Sequence, residues 1–293
     1  MQSKPAIVIR DLESFEDLQQ VEAVEREVWR LAEQDVMPLT LTIATKHAGS
    51  IWLGAFDGRK LVGFAFGFLG MERGHFIVHS HMLAVLEAYR DSDTGYKLKL
   101  AQRDRALAMG IQEMTWTFDP LQSRNAHLNF AKLGVISRDY KVDFYGPETS
   151  SVLHRNSTDR LWVTWPMASR RVQHRLKGNS PRAEMLDALS RLAPLVRFNG
   201  DGAPQRADLK EALARQRIAI EVPSDILSVE GKDIGLAREW RMATRWAFTE
   251  ALKAEFFVAE FCRTVRGQQG PGAYILEKGP IEEYVPELAF SPR

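Results

Sequence analysis

Residues 79–100 read His-Ser-His-Met-Leu-Ala-Val-Leu-Glu-Ala-Tyr-Arg-Asp-Ser-Asp-Thr-Gly-Tyr-Lys-Leu-Lys-Leu. The apolar run from His75 to Leu86 predicts a strand, the polar stretch after it a turn, and the residues from Thr94 onward a helix. A helix opening straight from a strand and turn leaves backbone N–H groups pointing out of its first turn, where the helix dipole also favours negative charge. Such an end suits a phosphate or pyrophosphate. His79 and His81, spaced i, i+2, project from one side of the incoming strand. Imidazole is the side chain best matched to proton transfer near neutral pH. Together these features suggest an enzyme that uses a phosphorylated carrier.

Working outward, Ala6–Arg10 reads as a strand, and Leu18, Val21, Val24 and Val28 mark a helix within 11–29. A second helix is expected over 39–47. Strands over 51–56 and 61–69 meet at Asp57-Gly58, a hairpin signal. The helix from Thr94 carries Leu98, Ala101, Ala106 and Met109 and closes at Gly110. Next come a strand over 113–118 stopped by Asp119-Pro120, a helix over 125–133 closed by Gly134, and strands over 140–145 and 161–165. The strand–helix–strand crossover over 75–118 makes that pair parallel and the hairpins antiparallel. The expected class is therefore α/β (α+β), a mixed, mostly antiparallel sheet flanked by helices.

The stretch from Ala168 to Pro204 is basic and turn-rich, with a helix expected over 182–192, and marks a domain edge. Two domains are expected, 1–167 and a C-terminal α/β extension over 168–293. The extension reads as a strand over 217–222, a helix over 233–253 and strands over 256–263 and 273–277. This order echoes 113–165, which leaves open both a degenerate repeat of the first fold and a merely similar α/β add-on.

Composition narrows the class. Of 293 residues, 45% are hydrophobic and 26% charged, as in ordinary globular proteins. Thirty-nine basic against 38 acidic residues give a net charge of +1, which argues against nucleic acid as a partner. No run approaches the ~18 apolar residues of a membrane span. The single cysteine, Cys262, lies in an apolar segment, reads as a buried thiol, and fits a reducing cytoplasm.

The string Val85-x3-Tyr89-Arg90-x4-Gly95-Tyr96-Lys97-x-Lys99 resembles the acyl-CoA-binding motif of the GNAT N-acyltransferases. Asn125-Ala-His-Leu-Asn-Phe-Ala-Lys-Leu-Gly134 resembles the family's next motif, an Asn-led helix ending in Lys-Leu-Gly-Phe. The order of elements over 6–165 is similar to that fold as well, and the whole looks like a bacterial branch with an extended C-terminal half. The resemblance implies acetyl-CoA or another acyl-CoA as co-substrate, a succinyl donor included, and a primary amine as acceptor. Its pyrophosphate would lie on Arg90, Asp93, Thr94, Gly95, Tyr96 and Lys97, and its pantetheine between the strands over 75–86 and 113–118. A backbone N–H of Leu83 or Val85 would meet the thioester oxygen. Asn125 would bond the pantetheine, cap its helix, or do both.

Two departures accompany the resemblance. Asp93 replaces the first motif glycine, so its carboxylate is expected to point away from the diphosphate and cap residues 95–97. Phe130 stands where many members carry a tyrosine acid, which makes Tyr145 the replacement candidate, with an ordinary packed tyrosine as the alternative.

Acyl transfer to an amine needs a base for the ammonium and an acid for the departing thiolate. His79 and His81 are the base candidates, in a string that resembles the paired-histidine strand of arylalkylamine acetyltransferases. Two satisfied strand histidines are the alternative, and Glu72 is a second candidate base. His75, His79 and His81 match no known zinc spacing, so no metal is expected. Arg241 and Arg245, on one helical face with Arg238, are candidates to clamp an acceptor carboxylate, with a solvated basic face as the alternative. Asp159-Arg160 reads as an ion pair at a strand edge. The expected function is acyl-CoA-dependent N-acyl transfer to a small molecule or amino acid, with a homodimer left open. The alternative is a non-catalytic CoA-ester-binding or protein-interaction module.

Overall fold

The computed structural model describes residues 6–90, 92–146, 151, 155–179, 189, 192, 194–263 and 271–285. The helix expected over 182–192 lies largely outside them. The chain divides between Trp116 and Thr117 into two compact units, with Ser151 and Arg155 grouping with the first. The expected boundary at 167/168 falls inside the second unit.

Unit 1 runs through β1 (Val8–Asp11), α1 (Phe15–Trp29), α2 (Leu39–His47), β2 (Ile51–Asp57), β3 (Lys60–Glu72), β4 (His75–Val85), α3 (Thr94–Ala108) and β5 (Glu113–Phe118), whose last residues enter unit 2. The strand order follows the chain, β1 to β5, antiparallel up to β4 and parallel between β4 and β5. Local chemistry sets the elements. Ser14 and Asp17 form a reciprocal capping box that starts α1. Arg73 and Gly74, with φ of 51° and 82°, make the two-residue turn that joins β3 to β4. Helices cover both sheet faces. Trp29 of α1 meets Phe64 edge-on at 6.1 Å, while α3 lies on the face that carries Ser80.

The buried stripe of α3 is Thr94, Leu98, Lys99, Gln102 and Ala106. Ala101 is only half-buried and Met109 is 44% exposed, which corrects the apolar stripe expected there. Polar residues occupy the inner face because Ser80 and Gly67 of the sheet meet it.

Three carboxylate contacts from α1 hold the connector to α2. Glu22 accepts from the Leu39 N–H at 3.0 Å, Glu25 accepts from the Met37 N–H at 2.9 Å, and Arg26 pairs with Glu33 at 2.6 Å. Glu25 is fully buried and its second oxygen has no partner. Burial, with Glu22 nearby, raises its pKa to about 7. The folded state thus holds a proton the unfolded chain releases near pH 4.5, so this group's contribution to stability is lost as pH rises to 7. Thermal unfolding of Glu25→Gln should be less pH-dependent between pH 5 and 8.5 than that of the parent, with the variant the more stable at pH 8.5; parallel melting curves would contradict the assignment.

Unit 2 contains α4 (Ser123–Ala126, continued by a π-helical stretch His127–Leu133), β6 (Ile136–Lys141), β7 (Arg160–Pro166), α5 (Arg170–Leu176), β8 (Pro194–Phe198), β9 (Pro204–Arg206) and α6 (Leu209–Leu213). It continues with β10 (Arg217–Val222), α7 (Ile226–Lys232), α8 (Ile234–Lys253), β11 (Phe256–Cys262) and β12 (Gly272–Lys278). Its strand order is β7-β6-β11-β12-β10-β8-β9. β6 pairs with β7 and, at Ser137, with β11, which is why these strands group with the C-terminal half. β12 inserts antiparallel between β10 and β11. The helix α8 supplies Trp240 against Phe198 and Phe248 against Tyr140 and Tyr274. Cys262 is buried, and its thiol donates to the Arg263 carbonyl at 3.6 Å.

The strand expected over 140–145 is instead β6, ending at Lys141; residues 142–145 turn, with Asp143 at φ 46°. Among the described residues no helix is long and apolar enough to cross a membrane.

Candidate active site

β4 carries one residue more than its partner. Phe66 stands opposite Met82 and Gly67 opposite Ser80, so His81 is the extra residue of a β-bulge. Beside it the parallel ladder to β5 holds only Val78–Met114 and His79–Thr115. The β5-facing edge of β4 beyond His79 therefore has no ladder partner among the described residues. Bulges end pairing and re-aim side chains in this way.

The bulge splits the two histidines in environment while keeping them together. Their ring centroids lie 6.3 Å apart, both beside Phe68, at 5.4 Å from His79 and 5.9 Å from His81. His79 is buried, with Nδ1 3.0 Å from Thr115 Oγ1. Burial, followed by the charges of His81 and Lys99, lowers its pKa to about 4. At neutral pH it is an uncharged imidazole and a weak base. His81 opens to solvent and makes no hydrogen bond to a described residue. The protein crowding around its recess still strips enough water to lower its pKa. Of the pair, His81 has the accessible nitrogens.

The start of α3 abuts the same strand. A Cβ placed on Gly95 would touch Val85 at 3.8 Å and Leu83 at 4.0 Å, and Leu83 lies two residues, about 7 Å, past His81. Gly95 has helical backbone geometry and room for a side chain, so the fold itself does not demand glycine there. Asp93 holds the left-handed conformation, φ 56°, that a motif glycine would take, and aspartate tolerates it. Its carboxylate does not cap the helix, contrary to expectation. The first-turn N–H groups of Thr94 and Gly95 meet no acceptor among the described residues, whereas that of Lys97 bonds the Asp93 carbonyl at 2.9 Å. Ser92 and Thr94 hydroxyls join at 2.7 Å, and Arg90 Nε donates to the Val85 carbonyl at 3.0 Å, placing its guanidinium at the strand's end. Tyr96 is half-buried and Lys97 exposed on the same turn.

The other sequence candidates lie elsewhere. Glu72 sits opposite His75 at the far end of the hairpin, about 20 Å along the strand from His81, and pairs with Arg73 at 3.5 Å. His75 is 3.1 Å from Glu113. Among the described residues no three potential ligands cluster as a metal site.

Asn125, Tyr145, Arg241 and Arg245 belong to unit 2. Asn125 is exposed inside α4, which begins at Ser123, so it does not cap the helix. Tyr145 is in the turn after β6, its hydroxyl 3.3 Å from Thr117 Oγ1. Phe130 is fully buried between Phe118 and Tyr274.

The two arginines are committed within the chain, which corrects the substrate clamp expected of them. Arg241 is buried, grips Asp119 with two bonds of 2.8 and 2.7 Å, and donates through Nε to the Asn156 carbonyl. Arg245 grips Asp159 at 2.8 and 2.7 Å and reaches Asp143 and Ser157. Asp159 also accepts from Tyr140 at 2.6 Å, and Arg160 donates to its backbone carbonyl. The Asp159 carboxylate thus pairs with Arg245, and Arg160 meets its backbone carbonyl where an edge ion pair was expected. The arginine spacing reads as a solvated face because the carboxylates it meets lie more than 80 positions away in the chain.

Sequence reading missed the role of Lys99. It is buried on α3, donates to Ser80 Oγ at 2.7 Å, and stands 3.6 Å from the centre of the Trp116 ring. The available signal was its i, i+3 spacing with Gln102 on the stripe set by Leu98 and Ala106.

No protein-family model matches the sequence, and no curated protein matches it. Solved GNAT acetyltransferases are similar in structure over about 55% of the chain. The ribosomal-protein-S18-alanine N-acetyltransferase of Escherichia coli is 15% identical, with 55% of this chain and 94% of that one covered, at a TM-score of 0.44. A GNAT acetyltransferase from Streptococcus pneumoniae is 17% identical over 54% of this chain and 98% of its own, at 0.44. An aminoglycoside 6'-N-acetyltransferase complexed with coenzyme A is 14% identical over 56% and 98%, at 0.42.

Removing one partner of a buried ion pair strands the other, at a cost of about 3–5 kcal/mol. Arg241→Leu should destabilise the protein by that order in urea unfolding, through Asp119. An unchanged midpoint would mean that the pair is not structural.

Proposed function

We propose that the chain is a GNAT-type N-acyltransferase that takes its acyl group from acetyl-CoA or a related acyl-CoA and gives it to the amine of a small molecule or amino acid. The observation that carries this reading is the junction of the β4 bulge with the start of α3. Unmet amides at Thr94 and Gly95 and the cations of Arg90 and Lys97 suit a diphosphate. The unpaired edge of β4 offers backbone groups at Leu83 and Val85 to an extended pantetheine arm and to the thioester oxygen. Spare room at Gly95 fits a ligand that passes over it.

In this reading His81 takes the proton of the incoming ammonium, directly or through water. The free amine attacks the thioester carbon, the carbon–sulfur bond breaks as the new amide forms, and the thiolate leaves with a proton. His79, neutral and tied to Thr115, keeps a second positive charge away from His81. Phe130 has no proton to give, so the acid is another group, with Tyr145 the phenol to test. A CoA-binding module without turnover is the second reading, favoured by the apolar burial of Phe130.

A hundredfold excess of acetyl-CoA over its Kd should stabilise the protein by about 2.7 kcal/mol in thermal unfolding. Gly95→Ala should leave the free protein as stable but reduce that gain. With an amine panel, His81→Ala should lower kcat at least 100-fold and leave acetyl-CoA affinity within threefold, in line with the usual share of a general base. A flat melting response to every CoA ester would overturn the reading. Binding without turnover in the parent would select the module.

A further inference from the structure

Lys99 is a second titratable group behind the histidine pair, and the acyl-transfer reading leaves it without a role. Its side chain is buried, and among the described residues its amine meets Ser80 Oγ at 2.7 Å, Gln102 Oε1 at 3.4 Å and the face of Trp116. No carboxylate is among these contacts. Ser80 in turn donates to Gln102 Oε1 at 2.7 Å, and the buried Gln102 Nε2 has no hydrogen-bond partner among the described residues. A helix that packs on a sheet has no need of such a residue, since leucine or methionine would fill the volume without desolvating an amine.

Its location gives it a use. Ser80 lies between His79 and His81, at the residue where the β3–β4 register slips, so the Lys99–Ser80 bond pins the strand on the near side of the bulge. Protonated, Lys99 opposes a charge on His79, and burial favours its neutral amine. Around these three groups β3 supplies Phe66 and Phe68, without charge. β5 supplies Glu113, held by Arg73 and His75, and α1 supplies Glu25, held by the Met37 N–H. On α3, Lys97 faces solvent and Arg105 pairs with Asp11.

We propose that Lys99 is a positioning residue: through Ser80 it holds the bulge that presents His81, and its ammonium opposes a charge on His79. The proposal rests on the acyl-transfer reading for its catalytic consequence, but not for its structural and ionic one. It makes Lys99, Ser80 and His79 one group behind the bulge, in which charge on Lys99 and charge on His79 oppose each other.

The test is NMR titration of the His79 and His81 ring resonances in the substrate-free protein, for the parent, Lys99→Met and Ser80→Ala. Lys99→Met keeps the volume and removes the amine, so the His79 midpoint should rise by about half a pH unit or more. Ser80→Ala keeps the amine and should lower kcat about tenfold with KM for acyl-CoA unchanged, the mark of a misplaced base. Labelling lysine ε-carbons in the parent reads Lys99 itself, independently of whether a variant folds, and should give a midpoint well below 10.5. Superimposable imidazole titrations in parent and Lys99→Met, or an ordinary lysine midpoint in the parent, would overturn the proposal. Shifted midpoints in a protein that acylates nothing would retain it and reject the acyl-transfer reading instead.

Discussion

One extra residue in β4 governs the arrangement of unit 1. Because His81 has no opposite number on β3, the strand must bend there. The parallel ladder to β5 extends no further than His79. Everything of chemical interest follows along that strand: a buried imidazole before the bulge, an open one on it, and bare backbone after it, ending where α3 begins. The hairpin turn at Arg73-Gly74 and the wide β3–β4 ladder secure the strand on its other side. Rigidity on one edge and vacancy on the other are what a site for an extended ligand requires.

The polar interior behind this strand runs against the usual logic of a helix–sheet interface. Lys99, Gln102 and Ser80 occupy positions that apolar residues would fill more cheaply, and a buried amine without an anion is costly. Glu25 is a similar case on α1, with one oxygen satisfied and one orphaned. Unit 2 handles its buried charges differently: Arg241 and Arg245 are each matched to a carboxylate by two bonds. In unit 1 the buried Glu113 is likewise paired, with Arg73 and His75, whereas Lys99 and Glu25 meet no opposite charge at hydrogen-bond distance among the described residues.

Much of the fold was legible because its signals are local. The strand at 75 and the helix at Thr94 follow from a change of hydrophobic period across a polar turn, and β10 and the long helix α8 from simple patterns. The errors have physical causes too. Val142, Phe144 and Tyr145 alternate like a strand, yet Asp143 takes a left-handed turn conformation that alternation does not reveal. Asp93 was expected to use its side chain as a cap, whereas its backbone conformation is what replaces the motif glycine. The histidine pair was visible as i, i+2 spacing, but its split into a buried and an open member depends on a register slip between strands. The contacts of Arg241 and Arg245 were not legible because the carboxylates they meet are remote in sequence, and a charged residue on a helix reads as solvated until the opposing surface is known.

The central claim, that the mouth of α3 and the unpaired edge of β4 receive one acyl-CoA, is tested most directly by following backbone amide resonances during titration with acetyl-CoA. The account predicts that the largest shifts fall at Thr94 to Lys97 and at Leu83 and Val85, saturating together with a single Kd. Saturable binding that leaves these amides unmoved and perturbs another surface would contradict it.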